Sequence, residues 1–206
     1  MRTPLIDAAL VLTAALLLGA CSPAGEEPAA GPETAASMEA AVSERSADMP
    51  AEANDTDVHF LGMMVPHHQQ AIDMSDVLLD SDVIDPEVRD LAQRIRDGQQ
   101  RENERMNALA DEWRIDEDME LHSHHIANGM VSPGVYETFA QLQGEELRTR
   151  FLELMHLHHA EVIRMTQDQV DNGGYQPLRD LANEMIEVQT AEMREMEGLY
   201  GGVPGM

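Results

Sequence analysis

The chain matches itself. Phe60, Leu61, Met64, His67, His68, Ile72 and Met74 fall on Phe151, Leu152, Met155, His158, His159, Ile163 and Met165, 91 residues further on. A second block, Arg89, Asp90, Leu91, Ala92, Gln99, Glu102 and Met106, falls on Arg179, Asp180, Leu181, Ala182, Gln189, Glu192 and Met196 at a shift of 90. Two copies are too few for a solenoid, so the repeated units must bury their apolar faces against each other. Within each copy the apolar residues recur at helical spacing, and strand-period alternation is absent. The repeat therefore predicts an all-α fold, an antiparallel four-helix bundle made of two repeated helical hairpins.

Local punctuation sets the expected bounds. Asp85 before Pro86 offers an N-cap and a first-turn proline, Ser132 before Pro133 offers the same, and Asn172-Gly173-Gly174 ends a helix. The expected helices are 57–80, 86–113, 132–171 with a break near Gly144, and 177–200. The bundle domain then spans 57–203, with repeat one at 57–113, a linker at 114–132 and repeat two at 133–200.

Ahead of the domain, an apolar run from Ala8 to Leu18 has the length of a signal-peptide core, well short of the roughly 20 residues of a spanning helix. It ends in Leu18-Gly19-Ala20-Cys21, which resembles the lipobox of bacterial lipoproteins, where cleavage precedes a cysteine that is then lipidated. Residues 1–20 are thus expected to be a lipoprotein signal peptide and Cys21 the lipidation site. Residues 21–56 would be a lipidated cysteine followed by a disordered acidic tether, since Ala, Pro, Glu, Gly and Ser bury too little surface to offset their ordering entropy. The expected location is the extracytoplasmic or periplasmic face of the envelope, with the membrane touched only through the lipid.

On a helix advancing about 100° per residue, Phe60, Met64, His67, Ala71, Met74 and Leu78 fall within one arc of about 80°, the width of a buried stripe. His68 sits at its flank, and the second copy repeats the pattern with Met155, His158, Val162, Met165 and His159. Gln99 and Glu102, like Gln189 and Glu192, also occupy core-facing positions where a bundle ordinarily places Leu. Buried polar groups need partners. Two partners suit these: the His of a neighbouring helix, or a metal held by His and Glu together. The metal set is then His67, His68, Met64, Met74 and Glu102 with His158, His159, Met155, Met165 and Glu192. Imidazole with thioether suits copper best among common transition metals, with zinc, nickel and iron as alternatives. Pro66 removes a backbone hydrogen bond just before His67, which would bend the helix there.

These residues also carry a family resemblance. FLGMMVPHHQQAIDM from Phe60, then RDLA and Gln99-x-x-Glu102-x-x-x-Met106, resembles the bacterial domain of unknown function 305 family, and FLELMHLHHAEVIRM from Phe151 resembles it again. Gly129-Met130-Val131-Ser132-Pro133 is similar to that family's linker. The resemblance implies a ferritin-like bundle, export and, in some members, copper binding with metal tolerance; it implies no known enzyme. The chain differs from the pattern in adding His156 before the second pair. It also carries a linker cluster, Met119, His122, His124, His125 and Met130, which with His156 forms a candidate second or loading site.

Composition narrows the partners. Thirty-nine acidic residues face 13 basic ones, all Arg, for a net charge of -26. Such a chain repels phosphate backbones and anionic headgroups, which argues against nucleic acid and a polybasic membrane patch. Metal ions are the natural small partners. A single cysteine excludes an internal disulfide, a Cys-rich zinc site and a four-thiolate cluster. The leading function is therefore an extracytoplasmic, membrane-tethered protein that binds and buffers copper, without catalysis. The alternatives are a metal-free structural or adaptor bundle, in which His67 and His158 bond Glu192 and Glu102 across the core, and a di-metal oxidoreductase. The last is weakened because only Glu153 and His156 show the Glu-x-x-His spacing.

Overall fold

The computed structural model describes residues 48–83, 85–115 and 129–201. The signal segment, Cys21, most of the tether and the linker residues Met119, His122, His124 and His125 lie outside the described residues. Among the described residues there are five helices: α1 (Asp55–Leu79), α2 (Pro86–Trp113), α3 (Pro133–Phe139), α4 (Gly144–Asn172) and α5 (Gln176–Tyr200). α1 pairs with α2 and α4 with α5, giving the two expected hairpins, and the hairpins meet mainly through α1 against α4. α2 and α5 barely touch. None of the helices among the described residues is long and apolar enough to cross a membrane.

The ends of the helices follow from short side chains and fixed backbones. Asn54 caps α1 by accepting from the amides of Thr56 and Asp57, and Asp57 accepts in return from the amide of Asn54, which starts the helix before the expected residue 57. Asp85 caps α2 as expected, accepting from Glu87 and Val88 beside Pro86. Ser132 precedes α3 but makes no side-chain cap bond. The break expected near Gly144 separates α3 from α4, and Gly144 takes a left-handed φ of 56° that suits glycine. Pro66 is accommodated within α1, where the Asn103 amide of α2 donates to the Val65 carbonyl at 3.1 Å.

The repeated arginine of the RDLA blocks has a mechanical role. Arg89 donates to the carbonyls of Leu78, Leu79, Ser81 and Val83 at the end of α1. Arg179 does the same, more sparsely, to Val170 near the end of α4. A cation placed on the last carbonyls of a helix satisfies orphan acceptors and opposes the helix dipole. In each hairpin the second helix thereby clasps the end of the first.

The core falls into two apolar clusters at opposite ends of the bundle. One joins Ala71, Met74 and Leu78 of α1 to Leu147, Phe151 and Leu152 of α4; the other joins Phe60, Leu61 and Met64 of α1 to Val162 of α4 and Leu178 and Leu181 of α5. The later part of α1 thus meets the earlier part of α4, so the two helices are antiparallel. The repeats are related by a pseudo-two-fold axis perpendicular to the helices, and residues near that axis must meet their own copies. Residues ahead of α1 join the packing too: Met49 and Ala53 lie against the second cluster. Gly174 lies so close to this segment that a Cβ there would sit 1.9 Å from the Glu52 carbonyl.

Candidate metal centre

Between the apolar clusters lies a polar layer. His67, His68, His158 and His159 are buried within it, each no more than 1 % exposed, together with Gln99, Gln189 and Glu192. The layer sits where the pseudo-two-fold axis passes. His67 and its copy His158 pack ring to ring with centroids 3.8 Å apart and planes inclined by 53°. His158 and His159 are adjacent on α4, their centroids 6.4 Å apart. Sequence periodicity alone could place these imidazoles on facing stripes, but the axial contact of His67 with His158 depends on how the hairpins register.

The carboxylates engage the other member of each His pair. His68 Nε2 lies 2.8 Å from Glu102 Oε2, and His159 Nε2 lies 2.9 Å from Glu192 Oε2. Both bonds run between the two helices of one hairpin. This corrects the cross-core pairing of His67 with Glu192 and His158 with Glu102. The reason is angular: consecutive residues differ by about 100° around a helix, so His67 and His158 face the opposite hairpin while His68 and His159 turn toward the second helix of their own. With Glu ionised, Nε2 carries the proton and donates it to the carboxylate, which leaves the lone pair on Nδ1. Nδ1 of His68 and of His159 is buried without a hydrogen-bond partner among the described residues. A carboxylate that fixes the tautomer of an imidazole and leaves its other nitrogen basic is a familiar support for a metal-ligating histidine.

His158 differs from its neighbours in charge. Neither of its ring nitrogens makes a well-formed hydrogen bond among the described residues. Burial holds its pKa well below the usual 6.5, with further depression from His67, His159 and His68, and the His67 backbone offsets only part of this. His158 is therefore neutral, and its lone pair available, at pH values where an exposed imidazole is already protonated. It follows that protons compete for this nitrogen only at lower pH than an ordinary histidine would suggest. A stability consequence follows as well. Below about pH 6.5 the unfolded chain binds a proton at residue 158 that the folded chain refuses, so the folded state should lose up to about 1.4 kcal/mol per pH unit from this group. Denaturant unfolding of the wild type and of His158→Leu between pH 7 and pH 5 checks this. The wild type should show the steeper acid slope, and parallel slopes would refute it.

The thioethers bracket the layer. Met64 and Met165 belong with one apolar cluster, Met74 and Met155 with the other. Met64 and Met155 each stand one helical turn before a His pair. Met74 and Met165 follow His67 and His158 by seven residues, roughly 10 Å along the helix axis, a distance that suits core packing better than a shared ion. His156 is buried and its Nε2 lies 3.3 Å from Glu197 Oε1 on α5. Met130 is half-buried beside α1, held there by Gln70, whose side-chain amide pairs with both the carbonyl and the amide of Val131. The linker also reaches the layer: a Cβ added to Gly129 would lie 3.4 Å from His67 Nε2 and 2.1 Å from Glu161 Cβ.

Among the described residues no group of three or more His, Cys, Asp or Glu side chains stands ready as a metal cage. The donors nevertheless suit a soft or borderline ion: unpartnered imidazole nitrogen, flanking thioether and carboxylates that fix tautomers. Gln99 and Gln189 were not among the expected ligands. Both are buried, and neither the nitrogen nor the oxygen of either amide has a partner among the described residues.

Comparison with known proteins locates this architecture. No protein among the curated ones matches the chain. Among solved structures, a DUF305 protein from Streptomyces coelicolor is 27 % identical with a TM-score of 0.66, covering 76 % of this chain and 99 % of its own. A DUF305 fragment from Deinococcus radiodurans is 28 % identical with a TM-score of 0.63, covering 72 % of this chain and 97 % of its own. CopM in its Cu(I)-bound form is 27 % identical with a TM-score of 0.58, covering 72 % of this chain and 97 % of its own. CopM has also been solved with Cu(II) and with silver. The profile of the domain of unknown function DUF305 matches residues 57–200, which covers both repeats and the linker between them, and the chain belongs to that family.

Proposed function

We propose that the protein binds and buffers a transition metal, copper foremost, in the imidazole layer at the centre of its bundle. The observation that carries this reading is the set of four buried imidazoles around the pseudo-two-fold axis, with neither nitrogen of His158 in a well-formed hydrogen bond and Nδ1 of His68 and His159 unpartnered among the described residues. Burying such groups is unfavourable unless something repays the desolvation. A bound cation does so. His67, His68, His158 and His159 would supply nitrogen, Met64 and Met155 thioether sulfur, while Glu102 and Glu192 hold the imidazole tautomers. That CopM, of similar fold, is seen with Cu(I), Cu(II) and silver supports the choice of metal.

The copper is cargo in this reading, and no reaction is assigned. The lipobox-like Cys21, the acidic tether and the domain from about residue 57 support an exported, lipid-anchored protein whose bundle faces metal outside the cytoplasm. The linker histidines would form a loading site, as Gly129 brings the end of that linker against His67. Calorimetric titration of the purified protein should show saturable copper uptake with a Kd of about 1 μM or tighter. No saturable binding of Cu(I), Cu(II), Zn(II) or Ni(II) would end the proposal.

One observation favours a second reading. The His68–Glu102 and His159–Glu192 bonds are made between protein side chains of the two helices of each hairpin, an arrangement that also suits a layer serving only to fix helix register. In that case no metal would raise the melting temperature, and Glu102→Ala would still destabilise the fold sharply.

A further inference from the structure

The two hairpins close tightly along α1 and α4 but leave α2 and α5 almost apart, and a cavity of about 630 Å³ occupies the gap. Its lining includes Gln99, Glu102, Gln189 and Glu192. These are two residues and their repeat copies, so the cavity lies where the pseudo-two-fold axis leaves the bundle, opposite the α1–α4 seam that holds His67 against His158. The layer is graded along this line. The side chains of His68 and His159 are 0 % exposed, whereas those of Glu102 and Glu192 are 17 % and 9 % exposed. The carboxylates that bond the imidazoles are therefore the boundary between the buried layer and the cavity.

Two further features suit this cavity to a small polar solute. The carboxamides of Gln99 and Gln189 line it, are at least 97 % buried, and have no partner for either polar atom among the described residues. Gly98 also lines it, in mid-helix, where a Cβ would meet no atom within 4 Å. The open space there leaves room for a larger side chain. The arginines on the rim do not bar a cation outright. Of the three that line it, Arg94 is paired with Asp90 and Glu195 and Arg105 with Glu184, while Arg101 makes no ion pair among the described residues and is offset only by the carboxylates of Asp97, Glu102, Glu192 and Glu195 that share the lining.

We propose that this α2–α5 cavity is the port through which a hydrated divalent cation, Cu(II), reaches the imidazole layer, and that the carboxamide oxygens of Gln99 and Gln189 are its first buried ligands. The proposal rests on the metal-binding reading above. Oxygen donors at the mouth replace part of the hydration shell, and Glu102 and Glu192 then bring the ion to the imidazoles they already hold. Nitrogen and oxygen donors together suit Cu(II). No bond other than those to the metal is made or broken, and the ion keeps its oxidation state along the route.

The test is kinetic. Stopped-flow mixing of the purified protein with aqueous Cu(II), followed through Trp113 emission, gives the uptake rate, and release into excess chelator gives the reverse rate. Gly98→Phe, which fills the cavity from one wall, should slow both rates at least tenfold and leave Kd unchanged. Val188→Phe, at the repeat-equivalent position on the other wall, should do the same. Gly98→Ala should keep wild-type rates. Gln99→Leu with Gln189→Leu should slow uptake even though the cavity stays open. Normal rates in both filled variants, with normal Kd, would overturn the port while leaving the metal centre intact. Absence of saturable Cu(II) uptake by the wild type would overturn the port together with the reading beneath it.

Discussion

His158→Leu is expected to raise the stability of the metal-free protein by about 1–3 kcal/mol and, in the same molecule, to lower copper affinity at least tenfold. The first effect follows from burial. His158 is 0 % exposed and its two ring nitrogens lack well-formed hydrogen bonds, so leucine removes two desolvated polar atoms while filling a similar volume. The second follows from the loss of the imidazole on the axis, which no neighbour replaces; His67→Ala added to it should deepen the loss. The adjacent residue supplies the control. His159→Leu strips Glu192 of its imidazole and strands a buried carboxylate, so it should destabilise by about 3 kcal/mol or more. Two neighbouring histidines on one helix should thus respond in opposite directions. Denaturant midpoints of the two variants, read beside calorimetric titration with copper, decide the matter. A loss of stability in His158→Leu would mean that this imidazole holds the fold together, and the case for a ligand would fall.

The contrast between those residues marks how far the sequence could be read. The self-match from Phe60 to Met74 and Phe151 to Met165 dictated two hairpins, and the stripe arithmetic placed both His pairs and both Glu in the core, because a helical face is a local property of 3.6-residue periodicity. Which histidine meets which carboxylate is a property of register between helices. That register is set by packing at a distance, through the clasp of Arg89 on the end of α1 and the meeting of α1 with α4. Gln99 and Gln189 were visible as polar residues on an apolar stripe, yet their relation to an open face needed the separation of α2 from α5. The thioethers show how far a face alone reaches: seven-residue spacing puts Met74 and Met165 on the histidine face and also about two turns away along the axis.

Asp57 was legible only as a residue near a helix start, and its replacement should produce a large loss of stability. Its carboxylate is fully buried. It accepts from the Asn54 amide at 2.8 Å, from the Gln169 side chain at 2.6 Å, and from the backbone amides of Gly174 at 3.0 Å and Tyr175 at 3.1 Å. These donors come from the start of α1, the end of α4 and the turn into α5, so one side chain fastens the first hairpin to the second. The charge is also well placed, since it lies at the N-termini of both α1 and α5, where helix dipoles favour an anion. Asp57→Ala leaves several donors without an acceptor and should cost about 3–5 kcal/mol. For a domain of this size that corresponds to a fall in melting temperature of roughly 10 °C or more. Asp57→Asn keeps the shape but turns an amide toward donors, so it should recover only part of the loss. If Asp57→Ala unfolds within about 1 kcal/mol of the wild type, the two hairpins are held by the α1–α4 seam alone. Movement of α5 away from α2 would then not be restrained from this end of the bundle, and the width of the opening over Glu102 and Glu192 would have to be set within the polar layer itself.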